Sequence, residues 1–136
     1  PKIIIPETVI VSESPDKEGR VTLADSIKEN EFIFDIAPEA LDDLKPILQN
    51  AGTILWNGPM GFFEKENFFE GTKKIAEMIS SSKGFSVLGG GDTISAAEKA
   101  GVIDRINYVS TAGGAFLEFM EGKKLPAIEA LIEKVI

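Results

Sequence analysis

Three times in its later half the chain repeats one pattern: a short apolar run, a glycine-bearing turn, then a segment with helical spacing. The apolar runs are residues 53–56, 85–88 and 106–109. The turns are Asn57-Gly58-Pro59-Met60-Gly61, Gly89-Gly90-Gly91-Asp92-Thr93 and Ser110-Thr111-Ala112-Gly113-Gly114. The runs are continuously apolar rather than alternating, which is how parallel strands buried on both faces read. Right-handed crossovers between such strands carry every turn to the same edge of the sheet. The expected fold is therefore a Rossmann-like, three-layer α/β/α arrangement with a mainly parallel sheet.

The earlier chain is organised differently. Ile3, Ile4, Ile5, Val9, Ile10 and Val11 favour an extended strand, with Pro6 delaying its start. Residues 13–20 form a charged turn, and 21–23 pair back as a short hairpin strand. Residues 32–36 are a further strand. Pro38 opens a helix carrying Leu41, Leu44, Ile47 and Leu48, with a break near Lys45 because Pro46 follows. Later helices are expected over about 68–80, after the glycines at 89–91, from 116 to Gly122, and from Pro126 onward.

The 85–100 stretch carries the first chemical signal. Strand, glycine turn and helix together offer backbone N–H groups without partners to an anion, and the helix dipole favours negative charge there. Asp92 is placed to hold a metal ion that a polyphosphate also touches. Two readings stand side by side at this point: a phosphate seat, or a tight chain reversal with Asp92 as a helix cap. The contiguous glycines match neither a Walker A loop nor a dinucleotide fingerprint. Convergence of three glycine turns on one edge favours the phosphate seat.

Composition narrows the chemistry. The 136 residues carry a formal net charge of −8, which argues against a nucleic-acid partner. No apolar run is long enough to span a bilayer. Cysteine and histidine are both absent, so thiol nucleophiles, thiolate metal sites and imidazole bases are excluded within these residues. What remains is chemistry on carboxylates, lysines, backbone dipoles and a bound cation, and phosphoryl transfer runs on those.

Four motifs in register now carry a resemblance. They are residues 55–64 (Leu-Trp-Asn-Gly-Pro-Met-Gly-Phe-Phe-Glu), 89–93 (Gly-Gly-Gly-Asp-Thr), 110–115 (Ser-Thr-Ala-Gly-Gly-Ala) and 117–126 (Leu-Glu-Phe-Met-Glu-Gly-Lys-Lys-Leu-Pro). With Phe-Asp-Ile-Ala-Pro at 34–38, the chain resembles phosphoglycerate kinase over essentially its whole length. The resemblance implies residues 1–136 are the C-terminal part of the nucleotide-binding domain. The family's phosphoglycerate-binding domain, and the early strands of this one with their Gly-Gly-Ala-Lys motif, lie outside them. It implies Mg²⁺-dependent transfer between 1,3-bisphosphoglycerate and ADP to give ATP and 3-phosphoglycerate, in a cytoplasmic, monomeric full-length enzyme.

The resemblance also implies residue roles. Glu64 accepts hydrogen bonds from ribose hydroxyls; the plainer reading is a solvated loop acid. Gly58, Met60 and Phe63 shape the pocket for base and sugar, although Phe62 or Phe63 is also read as core. Asn57 positions the phosphate region, or is a turn residue. Gly90, Gly91, Asp92 and Thr93 hold the phosphates, with Asp92 on Mg²⁺. Gly113 and Gly114 face them as the catalytic helix start. Three residues depart from the family pattern: Ala37 and Ala112 where it has glycine, and Phe116 where it has serine. Two other readings remain open here, a nucleotide-holding module without catalysis and a fragment without useful affinity.

Overall fold

A computed structural model describes residues 3–133. Two three-stranded sheets organise it, one antiparallel and one parallel. In the antiparallel sheet the β-branched strand β1 (Thr8–Ser12) lies between β2 (Arg20–Leu23) and β3 (Phe32–Ile36). The expected hairpin is present, and β1 begins after Pro6. The β1–β3 register slips between Ile10, opposite Asp35, and Val11, opposite Ile33. Phe34 is thus the extra residue of a bulge, and its ring stacks on Phe68 with centroids 4.8 Å apart.

After β3 the chain turns through a 3-10 helix (Pro38–Leu44) into α1 (Lys45–Asn50). The change of helix type falls at Lys45, where Pro46 lacks the N–H needed to continue and sits instead in the first turn of a new helix. The parallel sheet follows: β4 (Thr53–Asn57), β5 (Phe85–Gly89) and β6 (Tyr108–Ser110), in that order across the sheet. The connections are α2 (Glu70–Ser80), which a 3-10 turn at Glu66–Phe68 precedes, and α3 (Gly91–Lys99). Two helices close the described chain, α4 (Gly114–Met120) and α5 (Pro126–Glu133).

One face of the parallel sheet is packed. Ile54, Trp56 and Leu88 meet Ile75, Ala76 and Ile79 of α2 and Ala97 of α3, with Leu41 and Val102 closing the cluster. The opposite face is covered only in part, by α4 and α5. Phe116 of α4 lies on Gly89 so closely that a Cβ there would stand 2.3 Å from its ring. Elsewhere on that face Leu55, Phe85 and Tyr108 are 41%, 53% and 55% exposed. The layers are therefore helix, sheet and helix, but burial on both faces, expected from the apolar runs, is not met. Strand β4 alternates exposed and buried instead.

β6 also starts two residues later than expected. At that level Asn107 Oδ1 accepts from the N–H and hydroxyl of Ser86, and Ser86 Oγ accepts from Asn107 N–H. Side chains do the pairing there, and ladder pairing begins at Tyr108. The departures from the family pattern have local explanations. Ala37 is fully buried at φ −60° and needs no glycine. Ala112 fits because no residue other than glycine takes a positive φ among the described residues. Phe116 fills the space above Gly89.

A buried acid lies between β3 and the start of α2. Asp35, 0% exposed, accepts N–H bonds from Gly71 at 2.8 Å and from Ile36 at 2.9 Å. Burial pushes its carboxyl up to about 6; the two N–H donors oppose the rise and the charge of Glu70 adds to it. The folded value lies above the unfolded one, so the native state binds more protons between them. Stability therefore rises as pH falls through about 6, and at neutral pH the ionised group costs about 3 kcal/mol.

Two expectations follow from this packing. Melts followed by circular dichroism at about pH 7 and about pH 5 will show a smaller gain on acidification in Asp35→Asn than in the wild type. Equal gains would show that Asp35 is not the titrating group. Gly89→Ala will lose about 1–3 kcal/mol in urea unfolding. In a Phe116→Ala background the same substitution will cost much less, because the ring is what the new methyl meets.

Candidate functional site

The parallel register decides where the turns lie. Asn57 of β4 pairs with Gly89 of β5, and Gly89 with Ser110 of β6, so all three strands end level at one edge. The three turns leave from that edge. Each contains a glycine in the left-handed region: Gly58 at φ +97°, Gly90 at +95° and Gly113 at +54°. A side chain at these positions would strain the backbone.

The first two turns are bolted together. Asn57 Nδ2 donates to the Gly89 carbonyl at 2.7 Å. The Gly58 N–H donates to Thr93 Oγ1 at 2.7 Å. Trp56 Nε1 donates to the Gly58 carbonyl at 2.8 Å, which secures the same turn from the core side. Thr93 is 1% exposed, so its oxygen serves the neighbouring turn. Its backbone N–H stays free at the helix start, as do those of Gly91 and Asp92, because the first bond of α3 runs from Ile94 N–H to Gly90 O at 3.0 Å. Gly91 and Asp92 are exposed, and nothing lies within 4 Å of a Cβ built on Gly91. This leaves three unpartnered amides, with open space at Gly91 and one exposed carboxylate beside it.

Beyond Gly58 the chain runs beside α3. It starts at Thr93 in the first turn of α3 and reaches Lys99 in the last, where Lys99 Nζ donates to the Phe63 carbonyl at 2.7 Å. Lys99 also pairs with Glu66 at 3.1 Å and sits over the Phe69 ring at 4.2 Å. Phe63 is buried against Phe69 and Ala96, so its ring packs and its backbone shapes the loop. Glu64 comes next and is exposed. Asp92 and Glu64 therefore mark the two ends of one helix, and residues 92–99 of a helix rise about 10 Å. Met60 is half-buried against the main core.

The third turn is built separately. Gly113 caps α4, Gly114 begins it, and both are exposed. Among the described residues no side-chain hydrogen bond joins this turn to the other two. Its link to them is Phe116 on Gly89. Among the described residues no cluster of three acids could hold a metal alone. No helix there is long and apolar enough to cross a membrane.

Sequence reasoning missed the residues behind the site: Lys99, Thr72 and Asp35, and the latching use of Asn57 and Thr93. A signal existed for Thr72, a hydroxyl on the helix face shared with Ile75, Ala76 and Ile79. An inward polar group on such a face must find a partner.

The family model described as Phosphoglycerate kinase matches residues 1–123. Among solved structures, the phosphoglycerate kinase from Coxiella burnetii is 46% identical with a TM-score of 0.86, over 93% of this chain and 33% of that one. The phosphoglycerate kinase from Pyrococcus horikoshii OT3 is 36% identical with a TM-score of 0.79, over 93% of this chain and 31% of that one. The chain thus spans about a third of the length of these relatives. With matched motifs, matched fold and a family match that runs through all three turns, this chain belongs to the phosphoglycerate kinase family.

Proposed function

We propose that these residues form the ADP/ATP-holding part of an enzyme that moves a phosphoryl group reversibly from 1,3-bisphosphoglycerate to ADP. The observation that carries this reading is the level strand edge, where left-handed glycine turns surround the open start of α3. The amides of Gly91, Asp92 and Thr93 take the terminal phosphate oxygens, with Gly90 giving the backbone the turn it needs. Asn57 and Thr93 hold the Gly58 turn against that seat, and Asn57 keeps its carbonyl and a second N–H for the phosphate chain. Glu64, about one helix length away, takes the ribose hydroxyls, since a carboxylate can accept from two neighbouring O–H donors. Gly58, Met60 and the Phe63 backbone line the path between. Gly113 and Gly114 supply a second helix start where charge develops during transfer.

Asp92 suits Mg²⁺. A magnesium ion is held by one or two carboxylates, several waters and the substrate's own phosphates, so a lone exposed acid beside a phosphate seat fits it. When bound, the ion neutralises charge on the phosphate oxygens. Asp92 would hold it beside the start of α3. The phosphoglycerate is held by chain outside these residues, in keeping with the share of the relatives' length that they span. Catalysis needs both substrates in line. These 136 residues alone are therefore expected to show no steady turnover.

Titration calorimetry with MgADP tests the reading. Saturating heat is expected, weakened about tenfold in Glu64→Ala by loss of charge-assisted hydrogen bonds. In Asp92→Ala the difference between ADP with and without magnesium is expected to disappear. A flat trace for the wild type would overturn the nucleotide site. Turnover by the purified chain, proportional to its concentration and lost in Asp92→Ala, would overturn the division of substrates.

A further inference from the structure

Two polar side chains in the core make no contact in the nucleotide reading, yet one bonds to the loop that carries Glu64 and the other to the helix start that holds the first. Thr72 and Asp35 are each 0% exposed. Burying such groups is unfavourable unless they are bonded, so where their bonds go is informative. Thr72 Oγ1 accepts the N–H of Met60 at 3.1 Å and that of Gly61 at 3.2 Å. These are consecutive amides in a loop without regular secondary structure, held by one oxygen from the first turn of α2. The next amide, Phe62 N–H, donates at 2.7 Å to the carbonyl of Phe34, the bulge residue of β3.

Asp35 fixes the base of this arrangement. Its carboxylate holds the Gly71 N–H, directly before Thr72, at 2.8 Å. Both backbones press against it. A Cβ at Gly61 would lie 2.3 Å from Asp35 Oδ1, and one at Gly71 would lie 2.4 Å from the same atom. Glycine at 61 and 71 lets the loop and the start of α2 close on the acid from two sides. Three successive loop amides are thus held, two by Thr72 and one by the Phe34 carbonyl.

We infer that Thr72, seated by Asp35, is a positioning residue of the nucleotide site, which sets the loop from Met60 to Glu64 at the height where Glu64 meets the ribose. The inference rests on the nucleotide reading above for what the loop contacts. Its chemical requirement is narrow. The residue must present one oxygen that accepts two N–H groups, which serine can do and valine, of nearly the same shape as threonine, cannot. Loss of the oxygen leaves two loop amides unpaired while the packing of α2 on the sheet is kept.

The test compares the wild-type chain with Thr72→Val and Thr72→Ser by amide hydrogen exchange and by calorimetry with two probes, MgADP and magnesium pyrophosphate. Pyrophosphate has no ribose, so it reports the α3 start alone. Thr72→Val is expected to raise exchange at Met60 and Gly61 about tenfold while leaving Leu88 and Ala97 unchanged. It is expected to weaken MgADP about tenfold and pyrophosphate not at all, and Thr72→Ser is expected to restore both readouts. Unchanged exchange at Met60 and Gly61 in Thr72→Val would overturn the clamp. So would exchange raised equally everywhere, or equal weakening of both probes, since either marks a merely structural threonine. A wild-type chain that binds neither probe sinks the nucleotide reading instead, and the exchange data still decide whether the clamp exists.

Discussion

The register of the parallel ladder is the constraint on which everything else in the site depends. Asn57, Gly89 and Ser110 are paired level across three strands. A slip of one residue in β5 would turn Leu88 and Ser86 out of the core and bring Val87 in. It would also carry the Gly90 turn away from Asn57 and Thr93, whose bonds span no more than 2.7 Å each. Core packing and site geometry are therefore specified by the same pairing. The apolar side chains on the packed face hold the glycine turns at the far end in place.

The proposed site is an anion seat in a chain with a net charge of −8. Lysine clusters are not its means of attraction. Lys99, in the last turn of α3, is engaged three ways, by the Phe63 carbonyl, by Glu66 and by the Phe69 ring. What the proposed seat offers phosphate is backbone: unpartnered amides and the dipole of α3, useful only where side chains do not block approach. This explains why glycine is concentrated at the strand edge, and why the nearby side chains that do bond there, Asn57 and Thr93, serve the backbone rather than crowd it.

Much of the chain was legible because each signal in it is local. Apolar runs bounded by glycine mark strand ends, Pro38 and Pro126 mark helix starts, and Pro46 marks the change of helix type at Lys45. The convergence of the turns followed from parallel order alone. What could not be read depends on pairs distant in the chain. Asn107 meets Ser86 across the sheet and delays β6, and Phe116 sits on Gly89. The uncovered face of β4 was misjudged for a related reason. An apolar run reports what a strand can tolerate, whereas its burial depends on which helices lie over it. Nor does spacing tell whether Phe63 faces a pocket or Phe69; the structure puts it against Phe69 and Ala96.

The antiparallel sheet gains a purpose from the same geometry. Taken alone it is a hairpin and a third strand with Val21, Leu23, Phe32 and Ile33 exposed, a poor core. Its contribution is the bulge of β3. Slipping the register by one residue frees the Phe34 carbonyl from the ladder and offers it to Phe62 N–H, while the next residue aims a carboxylate at the start of α2. A buried acid pushed up to about 6 is a destabilising choice at neutral pH, and an apolar residue would pack there without that penalty. An apolar residue could not, however, hold the Gly71 amide while leaving Gly61 room to close over it. The stability given up at Asp35 is thus tied to a loop of the proposed site, and the small sheet is best understood as the anvil against which that loop is set.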